Sequence, residues 1–110
     1  MRAIAHPEAE RLELSGVLHA LSDPVRLEIV QTLADCGQEV SSGKLEVPVS
    51  KSTLTHHLKV LREAGLTRTR SEGVQRLVSL RGDDIEARFP GLLACVLLHA
   101  EPGDSRRLTV

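Results

Sequence analysis

The stretch that most limits what this chain can fold into is Ser50-Lys51-Ser52-Thr53-Leu54-Thr55-His56-His57-Leu58-Lys59-Val60-Leu61-Arg62-Glu63-Ala64-Gly65-Leu66. At about 100° per residue, Leu54, Leu58, Leu61 and Gly65 fall on one narrow line, while Ser52, Thr55, His56, Lys59 and Glu63 gather on the opposite side. Ser50 is a natural N-cap, because its hydroxyl can accept from a free amide of the first turn. Gly65 can take the left-handed conformation that ends a helix. The spacing therefore predicts an amphipathic helix with one face anchored to a small core. Its other face offers hydroxyls, an imidazole and an ammonium group to a polar partner.

A chain of 110 residues makes one domain with a modest core. Phe89 is the sole aromatic residue, so the core has to be built from Leu, Val, Ile and Ala. The same scarcity argues against reading single-stranded nucleic acid by base stacking, which uses aromatic platforms. No apolar run approaches the roughly 20 residues needed to cross a bilayer, and the opening Met1-Arg2-Ala3-Ile4-Ala5-His6-Pro7 lacks the apolar segment of a secretory signal. A cytoplasmic protein without a membrane partner is expected. Two cysteines, Cys36 and Cys95, suit a reducing compartment and do not suggest a disulfide framework.

A net charge of -1 argues against a nucleic-acid partner until its distribution is considered. Residues 1–49 hold four basic side chains against eight acidic ones, and residues 82–110 hold three against five. Residues 50–81 hold seven basic side chains (Lys51, Lys59, Arg62, Arg68, Arg70, Arg76, Arg81) against Glu63 and Glu72. Such a block is the electrostatic footprint that DNA phosphates require, with the acidic remainder limiting unspecific adhesion. Charge alone fits a solvated basic face equally well.

Along the chain, a first helix is expected from about Ala9 to Leu21, with Leu14, Val17, Leu18 and Leu21 at helical spacing. Asp23 can cap a second helix, with Pro24 in its first turn, that runs to about Asp35 and stops at Cys36-Gly37. Arg26 falls inside the broad apolar arc of that helix, where an ion pair with a carboxylate at the edge of the core is preferred to a phosphate contact. Val40 to Leu45 leaves room only for a short helical turn before Glu46-Val47-Pro48-Val49 breaks it. A short helix, a tight connection and the helix at 50–65 make a helix-turn-helix, whose second helix enters the major groove. Beyond Gly65, Thr67 to Arg70 and Arg76 to Leu80 alternate as strands about a turn at Gly73, a hairpin with arginines on its arms. Asp83 is read as the cap of a further helical segment, interrupted at Phe89-Pro90, and Leu92, Leu93, Val96 and Leu97 extend an apolar face to about His99.

Three stretches, Leu21-Ser22-Asp23-Pro24-Val25-Arg26-Leu27-Glu28-Ile29-Val30, Ser50 to Leu66, and the hairpin from Arg68 to Leu80, together resemble the ArsR-type bacterial transcriptional regulators. The resemblance covers about residues 10–98. It implies a mainly α fold with a small β-hairpin: a winged helix-turn-helix of about five helices that dimerises through its first and last helices. Residues 1–8 would be a flexible arm, 9–99 the domain and 100–110 a disordered tail. The loop before Ser50 is shorter than is usual for the family. Carried over position by position, Lys51, Ser52, Thr55 and His56 would meet base edges and nearby phosphates. Lys59 and Arg62 extend that set along the helix. Arg68, Arg70, Arg76 and, at the wing tip, Gln75 would grip the flanking backbone or the minor groove. His57 lies beside the leucine line and is read as a packing or hydrogen-bonding residue.

Members of that family usually repress a promoter until an effector, often a metal ion, releases them. The paired cysteines often found near the end of the second helix are missing here, and the carboxylate and histidine set of the last helix is incomplete. Asp84, Glu86, His99 and His6 are the nearest donors, so no metal site and no cofactor are expected. Cys36 and Cys95 would act as a thiol switch if the fold brought them together, and otherwise fill core space as half-buried residues. The expectation is thus a homodimeric repressor of double-stranded DNA that binds an inverted repeat and answers to an unknown effector. Its competitors are a thiol-responsive repressor and a winged-helix interaction module that has lost DNA binding. An enzyme is not expected: adjacent His56 and His57 point about 100° apart, and no carboxylate partner or phosphate loop accompanies them.

Overall fold

A computed structural model of the chain describes residues 4–100. Five α-helices form: α1 Leu14–Leu21, α2 Pro24–Cys36, α3 Lys51–Ala64, α4 Gly82–Arg88 and α5 Leu92–His99. Three short strands accompany them: β1 Val40–Ser41, β2 Thr67–Glu72 and β3 Gln75–Leu80. The sheet is antiparallel in the order β1-β3-β2, with Val40 opposite Val78 and a register running from Thr67 opposite Leu80 to Glu72 opposite Gln75. Val17, Ile29, Val30, Leu33, Leu61, Leu66, Val78 and Ile85 make the fully enclosed centre. Helices α1 to α4, strand β3 and the junction between α3 and β2 thus supply branched aliphatic side chains to a core with no aromatic member.

Local chemistry sets the helix ends. The Asp23 carboxylate accepts from the Val25 and Arg26 amides at 2.9 and 3.1 Å, with Pro24 in the position where a missing N–H costs nothing. The Ser50 hydroxyl accepts from the Thr53 amide at 3.3 Å, and Gly65 closes α3 with φ 88°. Glycine opens the two-residue turn between β2 and β3, where Gly73 has φ 62°.

Three expectations about the elements need correction. The first helix does not run unbroken from Ala9: a single 3-10 turn at Ala9–Arg11 is followed by extended Leu12 and Glu13, and α1 begins only at Leu14. The break lets Leu12, 2% exposed, turn inward against Gly65, where a continuous helix would have left it on the periphery. The segment before Ser50 holds β1 and one 3-10 turn, Ser42–Lys44, so the wing has three strands, not two. Asp83 lies inside the first turn of α4, where its charge suits the helix dipole, and the cap position is Arg81. Within the span expected as an arm, the Thr69 amide donates to His6 Nε2 at 3.0 Å, and Arg81 donates to the Pro7 carbonyl at 2.8 Å. The expected tail beyond residue 100 lies outside the described residues.

Candidate nucleic-acid interface

α3 presents the two faces that its periodicity demands. Leu61 and His57 are buried and Leu54 and Leu58 half-buried, whereas Lys51, Ser52, Thr55, His56 and Lys59 are exposed. Thr55 donates its hydroxyl to the Lys51 carbonyl at 2.9 Å, so towards a partner the oxygen acts as an acceptor and the methyl as an apolar contact. Strand alternation does the corresponding sorting on β2, where Thr67 and Thr69 point inward and Arg68 and Arg70 outward.

The wing folds towards α3. An open cleft of about 290 Å³ between them is lined by Ser42, Lys51, Thr55, Gln75 and Arg76 among others. A neighbouring cleft of about 250 Å³ adds Arg62 and shares Thr55 and Arg76. Residues from the helix (Lys51, Thr55, Arg62) and from the wing (Gln75, Arg76) therefore converge on one surface, and Ser52, His56 and Lys59 stand on the exposed face of the same helix.

Sequence reasoning missed Ser42, which the unforeseen β1 carries to the cleft, and Val74, fully exposed at the wing tip. Val40 and Ser41 gave no signal that they would pair beside β3 and bring the turn at Ser42 to the cleft. The signal for Val74 was available: an apolar residue in the turn of a polar hairpin has no core to enter.

The basic block is not uniformly free to meet a partner. Arg81, 5% exposed, is committed to the Asp84 carboxylate at 2.9 Å and to Pro7, and serves the fold. Arg68 lies 3.7 Å from Asp84. Arg70 makes a bidentate pair with Glu39 at 2.7 and 2.8 Å and also meets Glu72 at 3.1 Å. The Arg70 hydrogen bond holds the Glu39 carboxyl below its ordinary pKa, although both groups are open to solvent and the pair is screened. Arg62 and Arg76, like Lys51 and Lys59, have no ion-pair partner among the described residues. Hence the acidic and basic segments of the sequence are not segregated in space, because Glu39 reaches the wing beside β1.

Arg26 is buried as foreseen, but its partners differ from the carboxylate anticipated. Its guanidinium meets the His19 and Ala20 carbonyls and the His57 ring.

The possible metal donors are dispersed. His6 accepts from Thr69, Asp84 is paired with arginines, Glu86 accepts from the Gly91 amide, and among the described residues no three such side chains come together. Cys36 and Cys95 are both free and exposed, so neither serves as core filler. Among the described residues no helix is long and apolar enough to cross a membrane.

A basic recognition helix capped by Ser50, packed beside a three-stranded wing, defines a winged helix-turn-helix of the kind that binds DNA. Residues 21–70 match a family described as a helix-turn-helix domain. The chain is 43% identical over 79 residues to the uncharacterized HTH-type transcriptional regulator YceK of Bacillus subtilis, spanning 70% of this chain and 79% of that protein. It is 39% identical over 75 residues to the arsenical resistance operon repressor of Staphylococcus xylosus, spanning 67% and 71%. Among solved structures, the transcriptional repressor BigR from Xylella fastidiosa superposes with a TM-score of 0.57 at 32% identity, over 74% of this chain and 84% of that one. The chain belongs to the ArsR-type helix-turn-helix transcriptional regulators, a family of DNA-binding proteins and not of enzymes.

Proposed function

We propose that the protein is a cytoplasmic homodimeric repressor that binds an inverted repeat in double-stranded DNA and is released by an effector yet to be identified. The observation that carries this reading is the convergence of α3 and the wing on one basic surface. The repressor relatives support the direction of regulation. One module of this size reads only a few base pairs, so two copies on half-sites about 10 bp apart, or a multiple of that, give workable specificity. Lys51, Ser52, Thr55 and His56 take the base edges and adjacent phosphates. Lys59, Arg62, Arg68, Arg70, Gln75 and Arg76 take the backbone or the minor groove.

Lys59→Ala is expected to weaken binding to specific and random duplexes alike and to reduce the salt slope by about 1. Thr55→Ala or His56→Ala instead narrows the gap between the two duplexes, by about 1 to 3 kcal/mol for a good base contact. Fluorescence anisotropy across a salt series separates the two behaviours, and equal losses on both duplexes for all three variants would contradict the assignment.

Glu39→Gln loosens the hold on Arg70, which keeps its contact with Glu72, and removes a negative charge beside the wing. It is expected to raise affinity for random duplex about threefold at low salt, an effect that fades as screening increases. Unchanged affinity at low salt would mean that Arg70 does not meet DNA.

A further inference from the structure

We propose that Arg26 and His57 are positioning residues for DNA recognition, a buried clamp that fixes the setting of α3 against the C-terminal end of α1. The proposal rests on the DNA-binding role assigned to α3. Arg26 and His57 are each 8% exposed, so neither is available to touch a phosphate or a base. The Arg26 Nε donates to the Ala20 carbonyl at 2.7 Å and one terminal nitrogen donates to the His19 carbonyl at 3.3 Å, taking up carbonyls at the end of α1. Its other terminal nitrogen lies 3.1 Å from His57 Nδ1. One guanidinium on α2 therefore holds the end of one helix and the middle of another.

The geometry also fixes the protonation state of the histidine. Arginine only donates, so Nδ1 has to accept and the ring proton resides on Nε2. Nε2 faces the Asp23 carboxylate at 3.9 Å, the same carboxylate that caps α2. The clamp thus ties the α1 terminus to α3 by hydrogen bonds, with the half-buried Asp23 of the α2 cap close by. Its neighbour His56 projects about 100° away into solvent with Ser52 and Thr55. A rotation or slide of α3 large enough to part His57 from Arg26 would carry those exposed side chains with it. Recognition constellations tolerate only about 0.5 Å and 10 to 20° of such displacement.

A proton on Nδ1 would set an N–H against a guanidinium, two donors and two positive charges face to face. The charged groups that bear on His57 are Asp23 at the α2 N-terminus, Arg26 on α2 and His56 on its own helix. Burial, Arg26 and His56 lower the His57 pKa, and Asp23 opposes them. The neutral clamp is therefore intact above the ordinary imidazole value of 6.5 and fails as the pH falls through a lower one. His56 carries a second imidazole on the exposed face of the same helix, so the comparison has to be made between proteins that both retain it.

The experiment uses duplex DNA recovered by the wild-type protein from a random pool. His57→Asn places an amide oxygen near the site of Nδ1 and does not titrate, while His57→Leu keeps roughly the volume and leaves one guanidinium nitrogen unmatched. At pH 7.5, His57→Asn is expected to bind within about threefold of wild type, the scale of one imperfect hydrogen bond. Between pH 7.5 and 5.5, wild type should lose more affinity than His57→Asn, by less than about tenfold because the His57 pKa lies below the ordinary 6.5. His57→Leu should remain folded by circular dichroism yet discriminate less between selected and random duplex.

Parallel pH profiles for wild type and His57→Asn would overturn the clamp, as would full discrimination by a folded His57→Leu. An NMR titration of His57 in the free protein gives a reading without DNA, and a midpoint at or above the ordinary imidazole value also overturns it. Failure of wild type to enrich any duplex would instead overturn the DNA-binding role itself, and the positioning role with it.

Discussion

Replacing Gly65 by alanine is expected to lower the unfolding free energy by about 3 kcal/mol, combining backbone strain with overpacking, each of which costs about 1 to 3 kcal/mol. Gly65 has φ 88°, and its neighbours close α3 through bonds from the Gly65 amide to the Arg62 carbonyl and from the Leu66 amide to the Leu61 carbonyl, both 3.0 Å. A Cβ at this position would run into the side chain of Leu12, which has nowhere to retreat because it is itself 2% exposed. Gly37 provides the internal control: it ends α2 with φ 72°, yet a Cβ there meets nothing within 4 Å. Gly37→Ala should therefore show the strain alone, about 1 kcal/mol. Urea unfolding of the two variants measures the difference as a shift in midpoint at constant slope. Equal losses would mean that Leu12 does not seat against the end of the recognition helix.

The second large effect is expected from Leu18→Glu combined with Leu98→Glu. Leu18 on α1 is 46% exposed and Leu98 on α5 is 79% exposed, and Leu14 beside Leu18 is 47% exposed. The sequence of α5, Leu-Leu-Ala-Cys-Val-Leu-Leu-His, is apolar all round, yet only Leu93 is buried within the chain. A helix of that composition belongs in an interior, and a second copy of α1 and α5 would supply one. Because both leucines lie outside the protomer core, the double variant should fold and sediment as a monomer. Losing the second half-site contact should weaken operator binding by about 100-fold or more, the usual gain from tethering two modules. A double variant that stays dimeric at micromolar concentration, or a monomer that binds the operator undiminished, would remove the proposed interface.

How much of this was legible beforehand follows from the range of the interactions. Ser50, Gly65, Asp23-Pro24 and Gly73 each act within a few residues, so the ends of α2 and α3 and the wing turn could be read directly. The division of α3 into two faces, with His57 turned inward and His56 outward, followed from its period. Contacts that join distant segments left no local trace. The inward turn of Leu12 depends on Gly65, β1 exists because Val40 meets Val78, and Glu39 finds Arg70 across the same strand.

Arg26 shows the limit most clearly. Its place on an apolar arc announced burial, but only the assembled α1 terminus supplies the two carbonyls that replaced the anticipated carboxylate. The wing arginines likewise had to be sorted by partner, since Arg81 is structural, Arg68 and Arg70 are paired, and Arg76 faces the cleft.

The central claim is that two copies of α3 and the wing read an inverted repeat. Selection of duplexes by the wild-type protein from a random pool tests it most directly, since the enriched sites report both the bases read and the geometry of the reader. The account predicts enrichment of two related half-sites in opposite orientation, their centres about 10 bp apart or a multiple of it, with Thr55→Ala or His56→Ala relaxing the same base in each half. No enrichment over random sequence, or enrichment of a single unrepeated site by a protein that stays monomeric, would contradict it.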